Sequence, residues 1–275
     1  MVQISPIPAF DDNYIWCLTN DDSGYAVVVD PGDEDPVRTH LQEHGLQLAA
    51  ILVTHKHGDH TGGIRALLAD WPGIPVYGPA NEPIRTLTDR VGEGDRVATP
   101  EISTTFLVLD VPGHTEGHVA YLSGDALFCG DTLFAAGCGR VFSGTHAQLH
   151  ASLAKIAALP PETKVYCAHE YTLDNLGFAE WVEPQSEAVR RRVERDRASR
   201  ECGSPTVPSL LGEELETNPF LRCQVPQVIA AAERYAGRPL ADGVEIFTAI
   251  RTWKGPWMST TRPSSGHAVE TSAAR

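Results

Sequence analysis

Four side chains able to bind a metal stand within six residues in the segment AAILVTHKHGDHTGG (49–63): His55, His57, Asp59 and His60. They follow Ile51-Leu52-Val53, an apolar run that reads as a buried strand. Alternate residues of an extended chain share a face, so His55 and His57 point to one side. Gly58 then permits a turn that brings Asp59 and His60 towards a neighbouring point. Burying three imidazoles and a carboxylate without a counter-charge is costly, so the cluster reads as a cation site. Lys56, between the two histidines, is expected to face solvent.

Three later residues occupy similar places. His114 follows a strand ending near Val111 in TTFLVLDVPGHTEGH, Asp131 follows another in LFCGDTLF, and His169 follows a third in KVYCAHEY. Five histidines and two aspartates exceed what one four-coordinate zinc can use, but suit two ions that share a carboxylate. The natural division places His55, His57 and His114 on the first ion and Asp59, His60 and His169 on the second. Asp131 and a solvent hydroxide would span both. Two divalent cations, two aspartates and one hydroxide leave a net positive centre, suited to an acyl oxygen that becomes negative in the transition state. A water shared by two ions yields hydroxide near neutral pH. The expected catalytic carboxylates are therefore Asp59, orienting that hydroxide, and Asp131, bridging the ions. His118 lies in the same Gly-rich stretch as His114, but a strand begins after it, so it is expected to support the loop. His40, His44, His146, His150 and His267 have no strand-end partners and read as ordinary core or surface histidines. No G-x-S-x-G nucleophile elbow and no Rossmann or Walker pattern is present.

The elements that must hold these residues are short apolar strands broken by Gly, Pro and Asp, at 2–7, 14–19, 25–29, 50–54, 75–77, 104–110, 118–123, 126–129 and 164–167. Helical patterns separate some of them, at 34–44, 62–70 and 146–158, where Leu149, Leu153 and Ile156 recur at helical spacing. Strands interleaved with fewer helices predict an α/β layered domain with the helices outside the sheets. Strand signals fade near residue 174, and helices are predicted at 184–200, 224–236 and 242–253. The expected organisation is a main domain over 1–173 that carries the metal cluster, a helical second domain over 174–257 and a loosely ordered polar tail over 258–275.

The chain has 275 residues, an apolar fraction of 42% and a formal charge of −14, which argues against a general nucleic-acid binder. Basic residues set locally against that acidic background remain candidates for a small anionic ligand. The N-terminus shows no basic region followed by an apolar run, and no stretch reaches spanning length. The six cysteines are scattered, without CxxC spacing, and Cys17, Cys129 and Cys167 fall in strand-like runs. A cytoplasmic monomer without membrane or nucleic-acid partners is expected.

THKHGDH (54–60), GHTEGH (113–118), the Asp131 strand end and His169 together resemble the metallo-β-lactamase fold superfamily. More narrowly, IPAFDDNYIW (7–16), VVDPGD (28–33), GDTLFAAGCGRVFSGT (130–145), CAHEYTLDNLGFAEWVEP (167–184), NPFLR (218–222) and IRTWKG (250–255) resemble the glyoxalase II, or hydroxyacylglutathione hydrolase, family. The resemblance implies an αββα sandwich with a C-terminal helical domain. It also implies hydrolysis of S-D-lactoylglutathione to D-lactate and glutathione, the second step of methylglyoxal detoxification. The two divalent ions it implies are zinc, with iron or manganese as alternatives. It assigns Arg140, Tyr171, Arg251 and Lys254 to the glutathione moiety. Phe142 stands where relatives have tyrosine, and Ser143 where many have an acid. The rival activities on this fold are a glutathione persulfide dioxygenase, which uses a single iron, and other metallo-β-lactamase-fold hydrolases.

Overall fold

A computed structural model describes residues 2–21 and 23–261. Fourteen strands are present among them: β1 (Val2–Ala9), β2 (Asn13–Asn20), β3 (Tyr25–Val29), β4 (Gln47–Leu52), β5 (Val76–Pro79), β6 (Asp89–Val91), β7 (Arg96–Thr99), β8 (Thr104–Asp110), β9 (Val119–Ser123), β10 (Ala126–Gly130), β11 (Leu133–Phe134), β12 (Gly137–Cys138), β13 (Lys164–Cys167) and β14 (Ser209–Leu210). The helices are α1 (Glu34–His44), α2 (Gly58–Thr61), α3 (Ile64–Asp70), α4 (His146–Ala157), α5 (Thr172–Val182), α6 (Glu187–Glu201), α7 (Leu211–Thr217), α8 (Pro226–Ala236) and α9 (Gly243–Thr261).

Two six-stranded sheets form the frame, in the orders β1-β2-β3-β4-β5-β6 and β14-β13-β10-β9-β8-β7, with β11 and β12 as a separate hairpin. The first sheet is antiparallel through β3 and parallel from β3 to β6; in the second, β10 and β13 are the parallel pair. Side-chain alternation divides the first sheet between two cores. Trp16, Leu18, Val27, Val29, Ala50 and Leu52 face the second sheet, where they meet Phe106, Val108 and Phe128. Ile15, Cys17, Val28, Ile51 and Val53 face outward, onto Val37 and Leu41 of α1 and Ile64 and Leu67 of α3. Leu149, Leu153 and Ile156 of α4 join the same buried cluster, with Phe247 and Ile250 of α9 against which α4 packs. The mixed α/β sandwich and its C-terminal helices match the expected fold.

Local chemistry sets the helix ends. Asp33 accepts from the Asp35 amide at 3.1 Å to start α1, and Gly45 ends it in the left-handed region at φ 64°. Thr145 and Gln148 exchange hydrogen bonds in a capping box that starts α4, worth about 1 kcal/mol. The sequence-predicted helices at 34–44 and 146–158 appear within one residue. Helix α5 was not predicted, because it is buried around most of its circumference and has no polar stripe. The last helix runs to Thr261, beyond the predicted 253; the remainder of the expected tail, 262–275, lies outside the described residues, as does His267.

The helices clamp the β11–β12 hairpin to the sheets. Asn218 donates to the Phe134 and Gly137 carbonyls at 3.2 and 2.9 Å, and Glu214 accepts from the Ala136 amide at 2.8 Å. Arg192 pairs with Glu214 at 2.6 Å, so this buried carboxylate does not stand uncompensated.

Candidate metal centre and substrate cleft

The chain leaves β4 through Val53 and Thr54 and then presents His55 and His57, before α2 carries Asp59 and His60. His114 comes from the loop between β8 and β9, Asp131 follows β10, and His169 follows β13. Four strand ends, from both sheets, thus converge. His57 Nδ1 lies 3.0 Å from both His55 Nε2 and His114 Nε2. Nitrogens held 2.0–2.1 Å from a tetrahedral ion stand about 3.3 Å apart, so this triad is already close to ligating geometry.

Hydrogen bonds on the far side of each ring decide which nitrogen is bare. The Thr54 hydroxyl donates to Asp30 Oδ2 at 2.7 Å, so His55 Nδ1, 3.1 Å from that hydroxyl, must donate to it. His114 Nδ1 faces the Arg140 carbonyl at 2.8 Å, His60 Nδ1 faces Asp30 Oδ2 at 3.1 Å, and His169 Nδ1 faces Asp12 Oδ1 at 2.8 Å. All three partners accept only, so each ring donates through Nδ1. Each of these rings, when neutral as a ligand must be, therefore turns its Nε2 lone pair into the centre.

Asp131 divides between the two groups. Its Oδ2 lies 3.4 Å from His114 Nε2, while its Oδ1 lies 3.5 Å from His60 Nε2 and 3.3 Å from His169 Nε2. Asp59 Oδ2 completes the second group, 3.4 Å from His60 Nε2 and 3.5 Å from His169 Nε2. His60 Nε2 and Asp131 Oδ1 are buried and have no hydrogen-bond partner among the described residues, a costly arrangement that a cation would relieve. The donor set therefore fits divalent ions.

The electrostatics agree. Burial pushes His114 down to about 4 and holds His55 well below the ordinary histidine value, keeping them neutral as ligands must be. Burial also opposes charge on His169 and His60, but neighbouring carboxylates, Asp131 foremost, outweigh it and raise both, His169 to about 9. Those carboxylates call for positive charge at the point where the second group converges.

Sequence reasoning missed the residues behind the ligands. Asp30 accepts from the Thr54 amide and hydroxyl, both at 2.7 Å, and from His60; Asp12 orients His169, and Asn13 donates to Asp59 Oδ2 at 3.2 Å. Their only sequence signal is an acidic or amide residue beside a strand end. His118 stacks on His55 at 4.6 Å, and its Nε2 accepts from the Asp131 amide at 3.2 Å. Gly130, at φ 48°, allows this approach: a Cβ there would lie 2.3 Å from Thr54 Oγ1. Lys56 is not the solvent-facing residue expected. It is half-buried, 3.2 Å from Ser143 Oγ and 3.5 Å from Glu82 Oε2, because the loop carrying Ser143 folds over it.

The metal-ligand candidates open into a cleft that also receives Arg140, Phe142, Tyr171, Arg251 and Lys254. Tyr171 stacks on His169 with ring centroids 4.7 Å apart and planes 4° from parallel. Phe142 is 64% exposed at the mouth and sets its ring against His57 and His114 at 5.0 and 5.2 Å. Arg140 is exposed, whereas Arg251 and Lys254 of α9 are buried at the inner end.

The N-terminal part, residues 12–169, matches the metallo-beta-lactamase superfamily model, and residues 170–257 match the model for the hydroxyacylglutathione hydrolase C-terminus. A hydroxyacylglutathione hydrolase of Nitrosomonas europaea is 50% identical over 261 residues, covering 95% of this chain and 98% of that protein. The chain belongs to the hydroxyacylglutathione hydrolase family. It is accordingly a metal-dependent hydrolase of the metallo-β-lactamase superfamily. Among solved structures, the B3 metallo-beta-lactamase BLEG-1 is 28% identical with a TM-score of 0.58, over 81% of this chain and 100% of that one. TTHA1623 in a di-iron-bound form is 26% identical with a TM-score of 0.55, over 80% of this chain and 100% of that one. Neither reaches the identity or the coverage of this chain seen in the Nitrosomonas protein. Among the described residues, no helix is long and apolar enough to cross a membrane.

Proposed function

We propose that this protein hydrolyses S-D-lactoylglutathione, and related 2-hydroxyacyl glutathione thioesters, to the hydroxy acid and glutathione. The observation that carries this reading is one cleft onto which both convergent ligand groups open, with two buried basic side chains, Arg251 and Lys254, at its inner end. The first group is His55, His57 and His114, the second is Asp59, His60 and His169, and Asp131 offers one oxygen to each. Bound divalent ions would supply Lewis acidity, lowering the pKa of a shared water and favouring the negative charge that develops on the thioester oxygen. Histidine and carboxylate ligands suit zinc, iron and manganese; zinc is the ion we propose, and the di-iron form of TTHA1623 makes iron the first alternative.

The residues then divide the work. Asp59, steadied by Asn13, accepts a hydrogen bond from the attacking water and so aims it. Arg251 and Lys254 hold the terminal carboxylate of glutathione, with Arg140 nearer the mouth, and Tyr171 lies along the peptide. Phe142 supplies ring surface at the mouth but no hydroxyl. The leaving group is a thiol of ordinary pKa about 8.5, which departs with little proton assistance, so a separate general acid is not required. The cysteines of the described chain are all free, five of them buried, which supports a reducing, cytoplasmic setting.

The test is a thioester panel assayed after reconstitution with zinc, iron or manganese, with metal content measured on the same samples. Thiol release from S-D-lactoylglutathione should depend on metal, and His57→Ala should lower kcat by at least about a hundredfold. Undiminished turnover in metal-depleted protein would refute the reading. Oxygen uptake on glutathione persulfide without thioester cleavage would favour the dioxygenase instead.

A further inference from the structure

The inner end of the cleft holds a cation in an unusual state. Lys254 is 1% exposed, and among the described residues its Nζ has one hydrogen-bond acceptor, Asn175 Oδ1. Asn175 is itself oriented, because its Nδ2 donates to the Ala135 carbonyl at 2.8 Å. The faces of Phe178 and Phe220 lie beside Nζ, with centroids at 5.6 and 5.8 Å, and Lys254 also lines the cleft. An ammonium has three N–H groups to place, and among the described residues only one finds a lone pair. Aromatic faces return part of the lost hydration, but they do not replace a counter-ion.

Four titratable or charged groups bear on Lys254: Arg251 on its own helix, Cys138 of β12, Arg140 beyond that strand, and Asp174 of α5. Arg251 and Arg140 oppose a second positive charge, while Asp174 and Cys138 favour it. Arg251 donates through Nε to the Gly139 carbonyl at 2.8 Å and stays charged at any working pH. The cleft therefore has one permanent cation and one conditional cation at the same end.

We propose that Lys254 is largely neutral in the ligand-free cleft above neutral pH and takes up a solvent proton as a carboxylate docks, so that substrate and proton bind together. The proposal rests on the reading that this end of the cleft receives the carboxylate of a glutathione conjugate. Asn175 acts as the positioning residue that keeps Nζ aimed at that carboxylate. Burial, then the Arg251 charge, pushes the amine down to about 7, and an arriving anion reverses the balance. Below about pH 7 Lys254 is already charged and affinity is independent of pH. Above it, affinity falls by up to about tenfold per pH unit until the bound-state value is passed, because the free form must first gain the proton.

The experiment is titration calorimetry of the metal-loaded protein with S-methylglutathione, which has no thioester to cleave. At pH 8 it is run in phosphate and in Tris, whose ionisation enthalpies differ. The slope of binding enthalpy against ionisation enthalpy counts protons. The expected result is uptake of about nine-tenths of a proton at pH 8 and close to none at pH 6. Lys254→Arg should bind with close to none at either pH, and so should the glycine-amide analogue on the wild-type protein, more weakly. Binding by wild type without uptake at pH 8, or equal uptake in Lys254→Arg, overturns the proposal while leaving the thioesterase reading intact. If S-methylglutathione does not bind wild type at all, both fall.

Discussion

Asp30 Oδ2 lies 3.1 Å from His60 Nδ1 and 2.7 Å from the Thr54 hydroxyl, which in turn accepts from His55. One buried carboxylate thereby sets the tautomers of two histidines, one in each ligand group. Asp30 can do this because it sits at φ 55°, at the turn that ends β3, beside the loop where the ligands begin. Its own Oδ1 accepts from the Thr54 amide at 2.7 Å, so its orientation is not free to change.

Asp30→Asn tests that arrangement with little change of shape. If the amide oxygen keeps the Thr54 amide, the NH2 must face His60 Nδ1, which then becomes an acceptor and leaves the proton on Nε2. The expected outcome is a loss of about 10–100-fold in affinity for the metal of the second group. Metal content after dialysis against buffered zinc measures it, and full retention would show that the tautomer is set elsewhere.

Metal removal should cost stability as well as activity. The candidate ligands come from strand ends in both sheets, so an ion that binds only the folded chain would add stability by mass action. The expected gain is about 4 kcal/mol when free metal is a thousandfold above Kd. Thermal melts with and without a chelator should separate by several degrees, and coincident melts would argue against ions joining the sheets.

Arg251→Ala should raise KM for glutathione thioesters at least tenfold, with a smaller change in kcat. On the proposed reading the Arg251 guanidinium would serve the far end of the substrate, remote from the bond that breaks. Steady-state kinetics on S-D-lactoylglutathione decide the point; an unchanged KM would remove Arg251 from the substrate site.

Much of the centre was legible in the sequence because its parts are local. His55, His57, Asp59 and His60 sit in one loop after an apolar strand, and His114, Asp131 and His169 each follow a strand of their own. The alternation of Trp16 and Leu18 against Ile15 and Cys17 likewise needed only the period of an extended chain. Asp12, Asn13 and Asp30 were not legible as supports, because acidic and amide residues at turns are common and their partners lie far along the chain. The same limit applied to α5, whose burial on nearly all sides removes the polar stripe that marks a surface helix. It applied to Lys56 too, since the loop bearing Ser143 is remote in sequence.

The chain by itself determined the types of the candidate ligands, the strand ends that carry them and the family pattern of the proposed substrate residues, since each depends on short-range composition and spacing. The tertiary structure alone decided which nitrogen of each histidine is bare, how Asp131 splits its oxygens, and that Lys254 is buried with one acceptor. Those properties depend on distances of about 3 Å between residues up to 157 positions apart, which only the packing of two sheets and a helical layer brings within reach.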